Sequence, residues 1–169
     1  MPISTIVKTL RDVTILFEDG TSPTTEKLTV AFEEGNLSLN IPGVSVEAFL
    51  DRGQFGATPA LRYGNDQPIT GSFTAYLRDL ADGSYITLES ILTNSGYFAS
   101  TWVSTLDSSG NAEVKTVKMT ITYEGTDHGD AADHTIVLAH CFITGSITDG
   151  TPSTVQINFS DFEPYPTVT

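Results

Sequence analysis

The chain has 169 residues, 39% of them hydrophobic, and a net charge of −13 from 21 acidic and 8 basic residues. Length and composition predict a single soluble domain over residues 1–169 with a core of its own, and the negative charge argues against tight binding of nucleic acid. No apolar run reaches the about 20 residues of a membrane helix. The start lacks the features of a signal peptide, and the single cysteine excludes an internal disulfide.

Apolar and polar residues alternate through the first part of the chain, which is typical of strands with one buried face. Such strands are predicted at 12–18, 28–33 and 37–41, with turn signals at Asp19-Gly20 and Gly35-Asn36. Together they indicate an antiparallel meander.

Residues 42–68 interrupt this alternation and predict a long irregular loop, although 44–50 could extend a strand. Long loops in compact domains are usually functional. Aromatic side chains on such a loop either dock on a partner or fold back onto their own core, and both interpretations stay open.

The charge is distributed unevenly along the chain. Residues 52–78 contain three arginines and one aspartate, whereas residues 119–169 contain seven acidic residues and no basic one. Two explanations account for this pattern equally well. Either the charges serve only solubility, or the positive segment meets the acidic surface of another subunit.

The centre of the chain predicts a strand followed by a helix. Ile69, Phe73 and Ala75 share one face of a strand over 69–77. Apolar residues at helical spacing then predict one helix at about 84–94, which Gly96 could terminate. A helix this short needs to pack against the strands around it.

The second half predicts further strands at 100–106, 116–123, 135–144 and 155–160, with a turn at 145–153 and an end to the pattern at the prolines of 163–166. Residues 135–144 are apolar on both faces and therefore predict a central strand. Roughly eight strands around one helix indicate an all-β domain. The outer faces are rich in Thr, Ser, Asn and Gln, which suits a wet surface between subunits or around a channel.

Few residues indicate a catalytic or metal-binding site. Residues 127–134 hold three aspartates and two histidines, but their spacing matches no calcium loop or zinc motif, so a solvated turn without a metal is expected. His140 and Cys141 lie in an apolar run and are predicted to be core residues. No nucleophile or cofactor motif is present in the sequence, and we expect neither an enzyme nor a bound cofactor.

The segment Arg62-Tyr-Gly-Asn-Asp-Gln-Pro-Ile-Thr-Gly-Ser-Phe-Thr-Ala-Tyr-Leu77 follows the meander and the long loop, and precedes the helix and the second set of strands. This layout resembles the major tail tube proteins of long-tailed bacteriophages over roughly residues 13 to 159. The resemblance implies a β-sandwich or partly closed barrel that self-assembles into hexameric rings, with the helix outside. It also implies stacking of the rings through the long loop into a tail tube.

The resemblance further implies a location in the virion tail after synthesis in the host cytoplasm. Implied partners are other copies of the chain, a tape measure protein, and tail terminator or distal tail proteins, while DNA passes through without specific binding and no membrane is involved. The implied contact between rings uses the side chains of the long loop, namely Phe49, Arg52, Phe55, Arg62 and Tyr63.

Other functions stay open. A ligand- or carbohydrate-binding β-sandwich module is one alternative, and another virion part, such as a tail terminator or a decoration protein, is a second. For a tail tube, the strands expected to line the channel are those of the early meander and the threonine-rich strand at 116–123.

Overall fold

The computed structural model describes residues 13–18, 27–30, 36–49, 60–77, 88–93, 103–106, 112–126 and 130–169. Within these ranges the chain forms 11 strands and one short helix, which confirms the expected all-β fold with one short helix. The elements are β1 (Val13–Glu18), β2 (Lys27–Val30), β3 (Ser38–Asn40), β4 (Val44–Phe49), β5 (Ala60–Asp66), β6 (Ile69–Tyr76), α1 (Leu88–Thr93), β7 (Val103–Leu106), β8 (Ala112–Tyr123), β9 (His134–Thr148), β10 (Thr154–Asp161) and β11 (Thr167–Val168).

Nine of the strands form one antiparallel sheet in the order β2-β1-β8-β9-β10-β6-β3, with β7 beside β8 and β11 beside β9. The 15-residue strand β9 connects the two halves of this sheet. Its residues up to Cys141 pair with β8, and its residues from Cys141 onward pair with β10. The remaining strands, β4 and β5, form a separate two-stranded sheet.

The buried faces of the two halves pack against each other. Phe17 of β1 and Phe73 of β6 have ring centroids 6.3 Å apart, although three strands lie between β1 and β6 along the sheet. The sheet therefore folds over on itself as an open, sandwich-like structure rather than a closed barrel. The buried apolar residues of this core are Val13, Ile15, Phe17, Val30, Ile69, Phe73, Ala75, Ile91, Val117, Met119, Ile121, Leu138, Cys141, Val155, Ile157 and Phe159.

Helix α1 packs on the second half of β9, and this contact depends on a glycine. Ile91 is buried, and a Cβ atom added to Gly145 would lie 2.9 Å from Leu92 Cδ2 and 3.0 Å from the carbonyl oxygen of Gln156. A side chain at 145 would require the end of Leu92 and the backbone near Gln156 to shift. The described helix covers 88–93 of the predicted 84–94, and the rest of that prediction lies outside the described residues.

Three parts of the sequence-based picture need correction. The stretch 42–68 contains the strand β5 as well as β4, of which only β4 falls in the segment 44–50 that the sequence allowed as a strand. Strand β9 continues through Gly145 to Thr148 instead of turning there. The glycine that looks like a turn signal instead makes room for the helix. A short strand, β11, also follows Pro166, because a proline that precedes a strand removes no hydrogen bond from it.

Candidate assembly interface

The hairpin formed by β4 and β5 continues the pairing of β3 with β6. Asn40 pairs with Thr70 at the edge of the main sheet, and the Gln67 amide donates to the Gly43 carbonyl at 3.0 Å just beyond. Gly43 has a φ of 69°, a conformation that favours glycine. Past this kink, β4 and β5 hydrogen-bond with each other and with no other described strand. The hairpin is therefore an arm on the edge of the sandwich.

The arm has one apolar face, which we call the hairpin apolar face and which consists of Val46, Ala48, Leu61 and Tyr63. Val46 pairs directly with Tyr63, and Ala48 with Leu61, so these four side chains point the same way. The exposed fractions are 60% for Val46, 71% for Leu61 and 84% for Tyr63. Large apolar side chains are thus left in solvent together, on a two-stranded unit that has little stability by itself.

The opposite face of the arm is polar. Glu47 lies directly across from Arg62, where opposite charges attract. The Ser45 hydroxyl donates to the Asn65 carbonyl at 2.9 Å, beside the irregular pairing between Val44 and Val46. The hairpin is therefore an amphipathic ribbon whose apolar side has no cover from the rest of the described chain.

The base of the arm lies beside the C-terminal segment. The ring of Tyr165 lies against Gly43, where an added Cβ atom would come within 3.3 Å of the ring. Tyr165 belongs to the connection from β10 to β11, which pairs with the first half of β9. The arm thus begins next to the segment that joins β10 to β11.

The residues predicted to contact the next ring fall in or near this arm. Phe49 ends β4, while Arg62 and Tyr63 lie on opposite faces of β5 and are both exposed. Arg52 and Phe55 lie outside the described residues. Sequence reasoning missed Val46 and Leu61. The alternation of Val44, Val46 and Ala48 with polar residues was a usable signal for them.

A second surface stands out by its lack of charge. On β9, β10, β6 and β3, the register places side chains of alternate residues on the face opposite the core. None of these side chains is charged at neutral pH, although the chain as a whole is strongly acidic. This uncharged face consists of Ser38, Asn40, Thr70, Ser72, Thr74, Tyr76, Phe142, Thr144, Ser146, Thr148, Thr154, Gln156, Asn158 and Ser160.

The other half of the sandwich carries an ion-pair cluster on its outer face. Glu18 is only 8% exposed, and its two carboxylate oxygens lie 2.8 Å from Lys27 Nζ and 2.7 Å from Lys118 Nζ. Hydrogen bonds from Lys118 and Lys27 hold the pKa of Glu18 below its usual value. The cluster joins β2, β1 and β8, which are three of the four strands that the sequence favoured for the channel wall.

The acidic residues around position 130 hold a loop together. Asp133 Oδ1 accepts hydrogen bonds from the amides of Gly125 at 3.0 Å and Thr126 at 3.3 Å. Asp130 Oδ2 lies 3.0 Å from His134 Nε2. Among the described residues, no three side chains of His, Cys, Asp or Glu gather as metal ligands. Residues 127–129 of the predicted turn lie outside the described residues, and in the remainder Asp130 and Asp133 bond to neighbouring groups of the same loop.

A buried carboxylate lies where β9 changes partners. Asp161 is fully buried and sits opposite Cys141, and its Oδ1 accepts the amide hydrogen of His140 at 3.0 Å. Burial raises the pKa of Asp161, and it also raises the pKa of the Cys141 thiol. His140 is half-buried rather than a core residue, and its Nε2 lies 3.8 Å from Glu163 Oε1. Its position on β9 leaves part of the ring at the surface.

The sequence matches no protein-family model and no curated protein. Among solved structures, the chain is similar to one in the cryo-EM structure of an extracellular contractile injection system, described as "PVC sheath/tube terminator in extended state". The likeness is one of fold. The TM-score is 0.50 at 15% sequence identity, and the match covers 100% of this chain and 97% of the other. In the described part of the chain, no helix has the length and hydropathy of a membrane span.

Proposed function

We propose that the chain is a structural component of a phage-tail-like tube, and that it forms a terminating ring at the end of the tube. The observation that carries this proposal is the match of fold over nearly the full length of both chains, with a TM-score of 0.50. The matched structure is that of a sheath/tube terminator. No catalytic role is part of the proposal.

The uncharged face supports a role around a channel. A channel wall that binds phosphate groups would retain DNA, and an acidic wall would repel it. Threonine, serine, asparagine and glutamine side chains do neither and remain hydrated. We therefore assign the wall of the channel to the outer face of β9, β10, β6 and β3. Of the strands that the sequence favoured for this wall, β3 belongs to the assigned face, whereas β1, β2 and β8 do not.

A repeating subunit of the tail tube is the second candidate. The projecting arm favours it, because stacked rings need a surface that reaches from one ring to the next. The two candidates differ in how assembly ends. A terminator forms a ring of fixed mass, whereas a tube subunit continues to add rings as its concentration rises.

Sedimentation velocity and negative-stain microscopy of the purified chain test both candidates. We expect closed rings with a central opening and a mass that stays constant above the assembly concentration. Tubes that lengthen with concentration would favour the repeating subunit. Monomers alone, at high protein concentration and across a range of salt, would refute both.

A further inference from the structure

We infer that Asp161 makes the middle of β9 sensitive to pH. While the carboxyl group carries its proton, β9 stays attached to the end of β10 and to β11, and when the carboxyl group ionises this attachment loosens. The site is the point where β9 changes partners. This property goes beyond the proposed assembly and does not depend on it.

The backbone of β9 is irregular at this point. Val117 of β8 pairs with Cys141 of β9. The following pair joins Met119 to Leu138. Between these two pairs β9 has two residues where β8 has one, which is the arrangement of a β-bulge. A bulge interrupts the ladder and leaves backbone groups that need another partner.

The side chain of Asp161 supplies such a partner on the other edge of β9. The ladder with β10 ends at the pair of Cys141 and Asp161, and the ladder with β11 begins at Val137. Between the two ladders, the His140 amide donates to Asp161 Oδ1 at 3.0 Å, and the Glu163 amide also donates to the carboxyl group. The carboxyl group therefore ties β9 to the end of β10 and to the connection that leads to β11.

The carboxyl group lacks the contacts that stabilise a buried negative charge. Asp161 is fully buried, and among the described residues its Oδ2 has no hydrogen-bond partner. In the same part of the chain, no lysine or arginine pairs with it. A buried carboxylate without a cation is costly, whereas the protonated group is neutral. Burial therefore raises the pKa of Asp161, although the two amide hydrogen bonds oppose this.

The titratable groups next to Asp161 lie on β9 and on the connection to β11. Cys141 lies opposite Asp161, and burial raises the pKa of its thiol. The negative charge of Glu163, whose side chain is 49% exposed, raises the pKa of Asp161 further. A protonated His140 opposes this; its Nε2 lies 3.8 Å from Glu163 Oε1, and its Nδ1 is buried without a hydrogen-bond partner among the described residues.

The other described strands around this site bring no charge to Asp161. Strand β6 meets it at Ile69 and contains no charged residue, and β11 contains none either. On β8, Lys118 is bonded to Glu18 at 2.7 Å. The charge of an ionised Asp161 is therefore relieved by contact with water, which requires the end of β10 and the connection to β11 to move away from β9.

The direction of the effect follows from proton binding. In the open form the pKa of Asp161 returns to its ordinary value of 3.8, whereas in the closed form it is higher. Above pH 3.8 the open form thus holds fewer protons, and a rise in pH favours opening. The opening constant grows about tenfold for each pH unit between the two pKa values and is level above the higher one. The segment that moves includes Tyr165, beside Gly43 at the base of the arm.

The reaction of Cys141 with a pyridyl disulfide measures this opening, because the thiol is buried in the closed form. The rate is divided by that of the urea-unfolded chain at the same pH, which removes the titration of the thiol itself. For the unsubstituted chain below its assembly concentration, we expect this ratio to rise about tenfold or more between about pH 4 and pH 7. Asp161→Asn keeps an oxygen to accept the His140 amide and cannot ionise, so its ratio should stay level. A level ratio in the unsubstituted chain, or an equal rise in Asp161→Asn, would overturn the inference.

Glu163→Gln and His140→Gln are the matched controls, because they change the other titratable groups that act on Asp161. Glu163→Gln removes a charge that raises the pKa of Asp161, so the rise in the ratio should become smaller but persist. His140→Gln keeps the backbone amide and should also keep the rise. Loss of the rise in either variant would assign the titration to that residue instead of Asp161 and would overturn the inference.

A titration of the unsubstituted chain gives a test that needs no variant. The NMR signal of the Asp161 carboxyl carbon, followed against pH, should have its midpoint above the ordinary value of 3.8. A midpoint at or below 3.8 would overturn the inference, whether or not Asp161→Asn folds. A raised midpoint combined with a level ratio for Cys141 would do so too, since ionisation would then leave the site closed.

Discussion

Replacement of Glu18 by glutamine should destabilise the fold measurably. Its carboxylate is the common acceptor for Lys27 and Lys118 at 2.8 and 2.7 Å. Glu18→Gln keeps the size of the side chain and removes its charge, so both lysines lose an ionic partner while they remain next to each other. The contacts among β2, β1 and β8 should therefore weaken first.

The size of the effect follows from the exposure of the three side chains. A hydrogen bond to a charged group contributes about 1.5–3 kcal/mol, and breaking a fully buried ion pair costs about 3–5 kcal/mol. Here the lysine side chains are 56% and 43% exposed, against 11% for Glu18, so water screens and partly replaces the lost contacts. We expect a loss of about 1–2 kcal/mol in the free energy of unfolding.

The pH dependence gives a second test. Folding lowers the pKa of Glu18. The ionised carboxylate therefore adds to the free energy of unfolding at any pH above its ordinary pKa of 4.5, and this addition is lost as the pH falls through the lower pKa of the folded state. The stability difference between the unsubstituted chain and Glu18→Gln should therefore be full at neutral pH and shrink on acidification.

Urea denaturation, monitored by circular dichroism at several pH values, measures both the loss in the free energy of unfolding and its dependence on pH. Glu47→Gln is the control, because Glu47 is an exposed carboxylate on the arm, and it should change stability little. Equal urea midpoints for Glu18→Gln and the unsubstituted chain at neutral pH, or a difference that does not narrow in acid, would refute the reasoning.

Three further predictions concern other parts of the fold. Gly71→Ala should lower stability by about 1–3 kcal/mol in the same urea assay, because the added Cβ would overlap the Phe159 ring and the backbone carbonyl oxygen of Ser38; an unchanged midpoint would contradict this. Cys141 should react with a thiol reagent roughly a hundredfold more slowly in the folded than in the urea-unfolded chain, since burial raises its pKa, and equal rates would show that the site opens readily. On the uncharged face, Asn158→Lys should make assembled protein retain DNA in a salt-dependent way, whereas Asn158→Asp should not; equal retention in a gel-shift assay would argue against the assigned channel wall.

Local patterns were sufficient to predict most of the sandwich. The alternation around Ile15 and around Phe73 identifies strands. Both residues are buried in the core, where the aromatic rings of Phe17 and Phe73 stack. The apolar run around Leu138 predicts a central strand, and β9 is paired on both sides. These features depend only on the spacing of apolar residues along a single strand, and that spacing is visible in the sequence itself.

The candidate surfaces were harder to predict because they depend on pairing between distant segments. Asn40, Thr70, Asn158 and Thr144 share the uncharged face only because β3, β6, β10 and β9 lie side by side, and no local pattern specifies that order. The first strand of the arm was allowed at 44–50, but its second strand was predicted as part of a loop, because the glycines and prolines of this stretch obscure a short alternation. Tyr63 was identified as an aromatic residue for docking, but its apolar neighbours Val46 and Leu61 were not.

The long strand β9 also has a mechanical consequence. Because its first part is hydrogen-bonded to β8 and β11 and its second part to β10, a pulling force on either half of the sandwich is transmitted along one continuous backbone to the other. A force that detaches one half from the other must therefore break the ladder of β9 with β8 or its ladder with β10, and several hydrogen bonds are lost together when it does.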